Sequence, residues 1–351
     1  MTFESIVHSI PEWLTAEGPE KEIVISSRAR LARNVRGVRF AHRANDDALG
    51  EIVETVVGSA PKAGFSDSIF FQNETLTENQ RQVFIERHLI SNALAAKTLH
   101  RGVLVGEGEN RSILVNEEDH LRIQSFQSGF NPQAALESVS EIDDRLSKAI
   151  EFSFSSEYGY LTACPTNMGT GLRVSVLIHL PALVFTGEIQ RVIRSAGQLG
   201  LNVRGYFGEG SEVVGNIFQI SNQRSLGLNE RSIVESLREV VVKIIDYEKQ
   251  AAATLMKESK QVAEDKVWRS LGMLKTARLL STREFMNMGS AIRFGILMNL
   301  IDPSYLPVLN TLMVTLQPAH LQEQNGDGTD AGSRDARRAD IVRAQFINLE
   351  L

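Results

Sequence analysis

Apolar positions along the chain change period part-way. "KEIVISSRARLARNVRGVRF" (21–40) opens as a β-branched strand and runs into an arginine-dense turn or helix. "ALGEIVETVV" (48–57), "TENQRQVFIERHLISNALA" (77–95) and "LESVSEIDDRLSKAI" (136–150) carry apolar residues at helical spacing. "RGVLVGEGENRSILVNEEDHLRIQSF" (101–126) reads as a hairpin whose second run is interrupted by an acidic loop. Residues 159–180 read as strand, loop, strand, and 182–201 as a helix ended by Gly200. Strand, glycine loop and strand follow over 202–223, and Asn229 then caps a long helix to about residue 258.

From roughly 260 onwards the strand signals stop. "VAEDKVWRSLGMLKTARLL" and "STREFMNMGSAIRFGILMNL" are helical, the second opened by a Ser281–Glu284 capping box. "QEQNGDGTDAGS" (322–333) reads as a loop or linker, and a short helix closes the chain. The pattern predicts an α+β fold in three parts. These are a lead-in over 1–20, a catalytic-type domain over 21–255 and a helical C-terminal domain over 256–351.

Composition narrows the class. The chain has 351 residues, 42% hydrophobic and 23% charged, as in ordinary soluble domains. No apolar run is long enough to span a bilayer, and the N-terminus lacks a basic leader. One cysteine cannot form an internal disulfide, which fits a reducing cytoplasm. A net charge of −6 argues against direct nucleic-acid binding. Arginine nevertheless outnumbers lysine 27 to 10, and its planar fork grips carboxylate or phosphate bidentately.

Phosphate-loop, protein-kinase and metal-cluster motifs are absent, so no resident metal site is expected. Arginines recur instead beside short polar residues, in "SSRARLAR" (26–33), "EEDHLR" (117–122), "TGLRVS" (170–175), "VRGYFGEGSE" (203–212) and "RDARRA" (334–339). Arg28 and Arg30 share a side if their segment is extended. Arg122 follows the acidic turn and Arg173 a glycine bend. Gathered in one place these cations repel, so a common ligand would be polyanionic; taken singly, each is an ordinary solvated side chain. Glu118, beside Glu117, and Glu212 supply carboxylates able to clamp a guanidinium and accept its proton. Cys164 sits in "CPTNMGTG", a loop of small residues that reads either as a reactive site or as a tight connection.

In order, "SSRARLARN", "VNEEDHLRIQSF", "YLTACPTNMGTGLRVSVLIHLP" and "VRGYFGEGSE…FQISNQRSLGL" resemble the blocks of the phosphagen (guanidino) kinase family over roughly residues 21–255. The resemblance implies an antiparallel sheet flanked by helices and transfer of a phosphoryl group from ATP, with Mg²⁺, to a guanidino nitrogen. It implies that Glu118, Glu212 and Cys164 are catalytic, the thiolate helping to position the guanidinium. It places nucleotide on Ser27, Arg28, Ala29, Arg30 and Leu31, on His88 and Arg122, and on Arg173, Val174, Ser175, Val176 and Leu177. The block Arg204, Gly205, Tyr206, Phe207, Gly208 and Glu209 would also line it, although Phe207 stands where small-substrate members carry arginine.

Those members also have a helical domain before the first arginine block, which here begins near residue 26; an open cleft would admit a side chain on a polypeptide. The helical tail resembles the bacterial branch that phosphorylates arginine residues in proteins. By that resemblance Arg334, Asp335, Ala336, Arg337, Arg338 and Ala339 form an allosteric phosphoarginine pocket. It further implies a heat-shock repressor, a Clp ATPase/protease and an activator protein as partners, and protein substrates with accessible arginines. The Leu- and Met-rich tail is expected to support a homodimer. Phosphorylation of small guanidines and non-catalytic reading of phosphoarginine are the alternatives.

Overall fold

Eight strands build one antiparallel sheet in the computed structural model, which describes residues 2–206, 213–325 and 330–347. They are β1 Val24–Arg33, β2 Ile69–Gln72, β3 Gly102–Val105, β4 Arg111–Val115, β5 Leu121–Ser128, β6 Leu172–His179, β7 Leu201–Arg204 and β8 Ile217–Asn222. Their order across the sheet is β2-β3-β4-β5-β1-β6-β8-β7. The expected hairpin over 101–126 is the meander β3-β4-β5.

β1 is central, paired with β5 on one side and β6 on the other. The strand does not give way to a turn or helix at the arginines, as the sequence suggested; it runs through them to Arg33. Alternation explains this. Ala29 and Leu31 enter the core while Arg28 and Arg30 face the opposite side, and a helix would have scattered all four around its axis.

Ile123, Val174, Val176 and Ile220 join Ala29 and Leu31 on that core face. Helices Asp46–Ser59, Pro132–Leu146 and Glu230–Glu258 cover it with Ile52, Val139, Ile142, Leu237 and Val241. Truncating one such buried Leu or Ile to Ala typically costs about 2–5 kcal/mol. Asn229 caps the longest helix by accepting from Ser232 N at 2.8 Å. The segment read as one helix from 182 is two, Pro181–Phe185 and Ile189–Gln198, parted at Gly187, whose φ of 76° breaks the helical run.

Among the described residues, apolar clusters cover the other sheet face at its two ends. Phe84, Leu89 and Leu94 pack on Val103, Val105 and Leu114. At the other end Ile25, Phe126, Leu177 and Ile217 share a cluster with Trp13 and Leu14 of the lead-in and with Phe285, Phe294 and Leu312 of the C-terminal helices. The Glu230–Glu258 helix runs unbroken past residue 255. Ser281 and Glu284 form the expected capping box. The stretch read as a loop at 322–333 includes the end of helix Pro318–Asn325 and the start of helix Ala331–Phe346; 326–329 lie outside the described residues. Between the two apolar covers lies a polar strip of the sheet.

Candidate active site

That strip floors a cleft of about 940 Å³. Arg28 and Arg30 from β1, Arg122 from β5, Arg173 from β6 and Arg204 from β7 all line it, with His88, Glu117, Glu118 and Cys164. Register accounts for the convergence. Arg30 lies directly opposite Gln124 on one neighbour and Arg173 on the other, and Arg122 lies opposite Ala32. Each arginine therefore shares the parity of the same face.

The crowding perturbs their titration. Burial, then Arg173 and Arg122, lowers Arg28 to about 10 despite Glu117. Arg30 falls well below its ordinary value, through burial first and then Arg28, Arg122 and Arg173. Its Nε is buried with no hydrogen-bond partner among the described residues. An orphaned donor among like charges is a defect in a bare protein but is suited to a polyphosphate ligand. His88, lowered to about 3 by burial and then Arg28 and Arg30, is a neutral imidazole at physiological pH. Its ring meets Trp13 at 5.8 Å and Tyr206 at 5.0 Å, both edge-on.

The acidic loop contributes more than one carboxylate. Glu118, 45% exposed, lies 3.3 Å from Arg122 Nη2. Burial raises its pKa first; Arg122 opposes this, and Asp119 and Glu117 add to it. Glu117 is buried and bound by Arg122 Nη1 and by the Ser91 hydroxyl. Asp119 is buried too. Its Oδ1 accepts from Asn34 Nδ2 and from the amide of Ala163, each at 2.7 Å. Asp119 thus ties the carboxylate loop to the residue preceding Cys164.

Cys164 is partly exposed, its Sγ 3.0 Å from Thr166 Oγ1. The loop of small residues around it is a close-packed bend. Gly171 has φ 68°, and a Cβ there would stand 2.7 Å from the Ala32 carbonyl oxygen. Arg33 braces the bend from beneath. It donates to Asp143 from Nε (2.9 Å) and Nη2 (2.7 Å), to the Thr170 carbonyl at 2.9 Å, and lies 3.4 Å from the Tyr160 ring centroid.

Other expected residues fall elsewhere. Ala29, Leu31, Val174 and Val176 point into the core, so only their backbone could meet a ligand in the cleft. Ser27 Oγ donates to the Gly129 carbonyl and receives the Asn131 amide, both at 2.9 Å. Ser175, Leu177 and Tyr206 border a small recess beside Arg28 and His88, and Gly205 follows β7. Phe207, Gly208, Glu209 and Glu212 lie outside the described residues. In the tail, Arg338 is buried, donating to Leu316 O (2.9 Å), Leu280 O (2.7 Å) and Asp335 Oδ1 (2.6 Å). Arg334, Asp335 and Ala336 are half-buried, Arg337 is exposed and Ala339 is in the core.

Asn34, Ser91, Glu117, Asp119 and the Arg33–Asp143 pair were not singled out from the sequence. The run of three acids at 117–119 is a local sign, but the sequence pattern does not tell which of its carboxylates are buried.

An arginine-floored cleft holding a carboxylate pair and a thiol offers room for a polyanion on one side and a cationic group on the other. The chain matches the model for the ATP:guanido phosphotransferase C-terminal catalytic domain over residues 49–251, and it belongs to that family. Residues 260–350 match the model "Protein-arginine kinase McsB C-terminal domain". The chain is 41% identical over 347 residues to a protein-arginine kinase of Halothermothrix orenii, covering 99% of both. It is 40% identical over 349 residues to one of Bacillus subtilis, covering 99% of this chain and 96% of that one. Among solved structures it resembles lombricine kinase, with TM-score 0.60 and 25% identity over 72% of this chain and 78% of the other. No helix among the described residues is long and apolar enough to cross a membrane.

Proposed function

We propose that this chain is an ATP-dependent protein-arginine kinase. The carrying observation is that Arg28, Arg30, Arg122 and Arg173 converge on one cleft that Glu118 and Cys164 also line. Near-full-length similarity to relatives named protein-arginine kinases favours a polypeptide acceptor.

In this reading the arginine face holds the triphosphate, and Arg30 Nε finds its missing partner there. Mg²⁺ bound to that triphosphate would add charge neutralisation at the transferring group. The nucleoside end lies toward His88 and Tyr206. A guanidinium is a poor nucleophile while fully protonated, its pKa lying above about 12. Glu118, with Glu212 as second carboxylate, clamps the fork, and Cys164 positions it from the side. The guanidino nitrogen attacks the γ-phosphorus, the bond to the ADP oxygen breaks, and Glu118 takes the proton. A pKa raised by burial suits Glu118 to keep a proton it has received.

The resemblance extends the same proposal. Marked proteins would pass to Clp-type proteolysis, a heat-shock repressor would be among the targets, and an activator and a homodimer would belong to the system. Arg334, Asp335 and Arg338 would read phosphoarginine, and the protein would work in the cytoplasm. With γ-labelled ATP and a protein acceptor, acid-labile label should appear on the protein, and Glu118→Gln should lower its rate at least about 100-fold. Acid-stable label, or undiminished transfer by Glu118→Gln, contradicts the assignment.

A further inference from the structure

We propose that Glu86 and Arg87, which line no part of the cleft, are positioning residues that fasten the C-terminal helices to the backbone carrying His88. The inference rests on the nucleotide reading of the cleft. Helix Glu78–Glu86 ends at Arg87, and His88 then takes φ 59°, a left-handed conformation unfavourable for a non-glycine residue. Such a turn persists only where its neighbours hold it, and here they do.

Arg87 is fully buried and draws three remote segments together. Its Nε donates to Glu109 Oε2 at 2.6 Å and its Nη2 to Glu109 Oε1. Nη2 also reaches the Ser9 carbonyl at 3.1 Å, and Nη1 meets His320 Nε2 at 3.1 Å. Glu86 closes the N-terminus of helix Pro318–Asn325, its carboxylate accepting from the amides of Ala319 (2.9 Å) and His320 (3.0 Å). Arg87 can only donate, so His320 Nε2 accepts; the imidazole proton sits on Nδ1, 3.3 Å from Glu86 Oε2. Burial holds His320 below its ordinary pKa, consistent with this neutral form.

The line continues in both directions. Two residues before Pro318, the Leu316 carbonyl accepts from buried Arg338 Nε at 2.9 Å. On the cleft side, the His88 carbonyl accepts from Gln124 Nε2 at 3.3 Å, and Gln124 is the cross-strand partner of Arg30. A change in how Arg338 holds Leu316 would therefore reach His88 through buried, hydrogen-bonded groups.

The chain has two tryptophans, and Trp13 lies against His88. In a Trp268→Phe background, Trp13 fluorescence should report ATP binding beside His88. Glu86→Gln and His320→Gln should raise the dissociation constant for ATP roughly 5- to 20-fold and blunt the Trp13 response, with kcat at saturating ATP within about twofold. A variant that unfolds earlier yet binds ATP with unchanged affinity and Trp13 response overturns the proposal. Should both variants fail to fold, hydrogen exchange on the wild type decides. ATP should slow exchange at the Ala319 and His320 amides, and unchanged exchange there overturns the relay. Wild-type protein that binds no ATP overturns the nucleotide reading and the relay together; normal binding with unaffected variants or amides overturns the relay alone.

Discussion

Arg30 on β1 and Arg173 on β6 are directly opposed partners in the antiparallel ladder, two guanidiniums held on one face of the sheet. Opposed like charges destabilise a strand pair. Their retention over a cleft makes sense when an anion completes the set.

Arg30→Met should therefore separate stability from function. Losing a half-buried, repelled charge should raise the unfolding free energy by up to about 1 kcal/mol, while phosphoryl transfer falls by about 100-fold or more. Urea unfolding and initial rates check both. ATP should raise the wild-type melting temperature and leave that of the variant nearly unmoved. A variant less stable than wild type counts against the charge-repulsion account.

Glu118 sets an expectation for pH. Its pKa is raised in the fold, so its protonated form is favoured, and the associated stability is present below the ordinary carboxyl value and lost as pH rises. Activity runs oppositely, because the base must be ionised to accept a proton. The acid limb of kcat against pH should lie above the ordinary carboxyl range and vanish, with most activity, in Glu118→Gln.

Asp119→Ala should uncouple the two halves of the acceptor site. Asn34 Nδ2 keeps only the Leu161 carbonyl and the Ala163 amide loses its partner, at a stability cost of about 1–3 kcal/mol. The Cys164 loop shifts away from Glu118, so kcat should fall about 100-fold while KM for ATP stays within about threefold. Steady-state kinetics with separate ATP and acceptor titrations read the split.

Glu248 gives a purely structural test. Buried behind the sheet, it accepts from the amides of Ala182 (2.7 Å) and Leu183 (3.0 Å), yet burial pushes its carboxyl up to about 7. A raised folded pKa stabilises below the unfolded value, and that stability is lost as pH climbs through about 7. Between pH 5 and 8 the loss should be on the order of 3 kcal/mol, measured by denaturant unfolding and removed in Glu248→Gln.

Much of the site was legible because strand arithmetic is local. Arg28 and Arg30 two apart on β1, and Arg122 and Arg173 each behind a turn, announce a shared face once the segments are extended. Asp119 was not legible in the same way. Its meaning lies in Asn34 and Ala163, 85 and 44 residues away, and no periodicity links them. Nor does a pattern reveal that Trp13 of the lead-in would pack in one cluster with Phe126 and the C-terminal helices. The arginine-dense half of β1 was misjudged because charge density suggests a solvated turn, whereas pairing on both sides enforces a strand.

Mapping of phosphorylated sites under non-acidic conditions, after reaction of ATP with a mixture of folded proteins and free arginine, tests the central claim most directly. The predicted result is phosphate on arginine side chains of the proteins, lost when Arg30→Met or Glu118→Gln replaces the wild type. Phosphate on free arginine alone, or tight binding of phosphoarginine with no transfer at all, would contradict it.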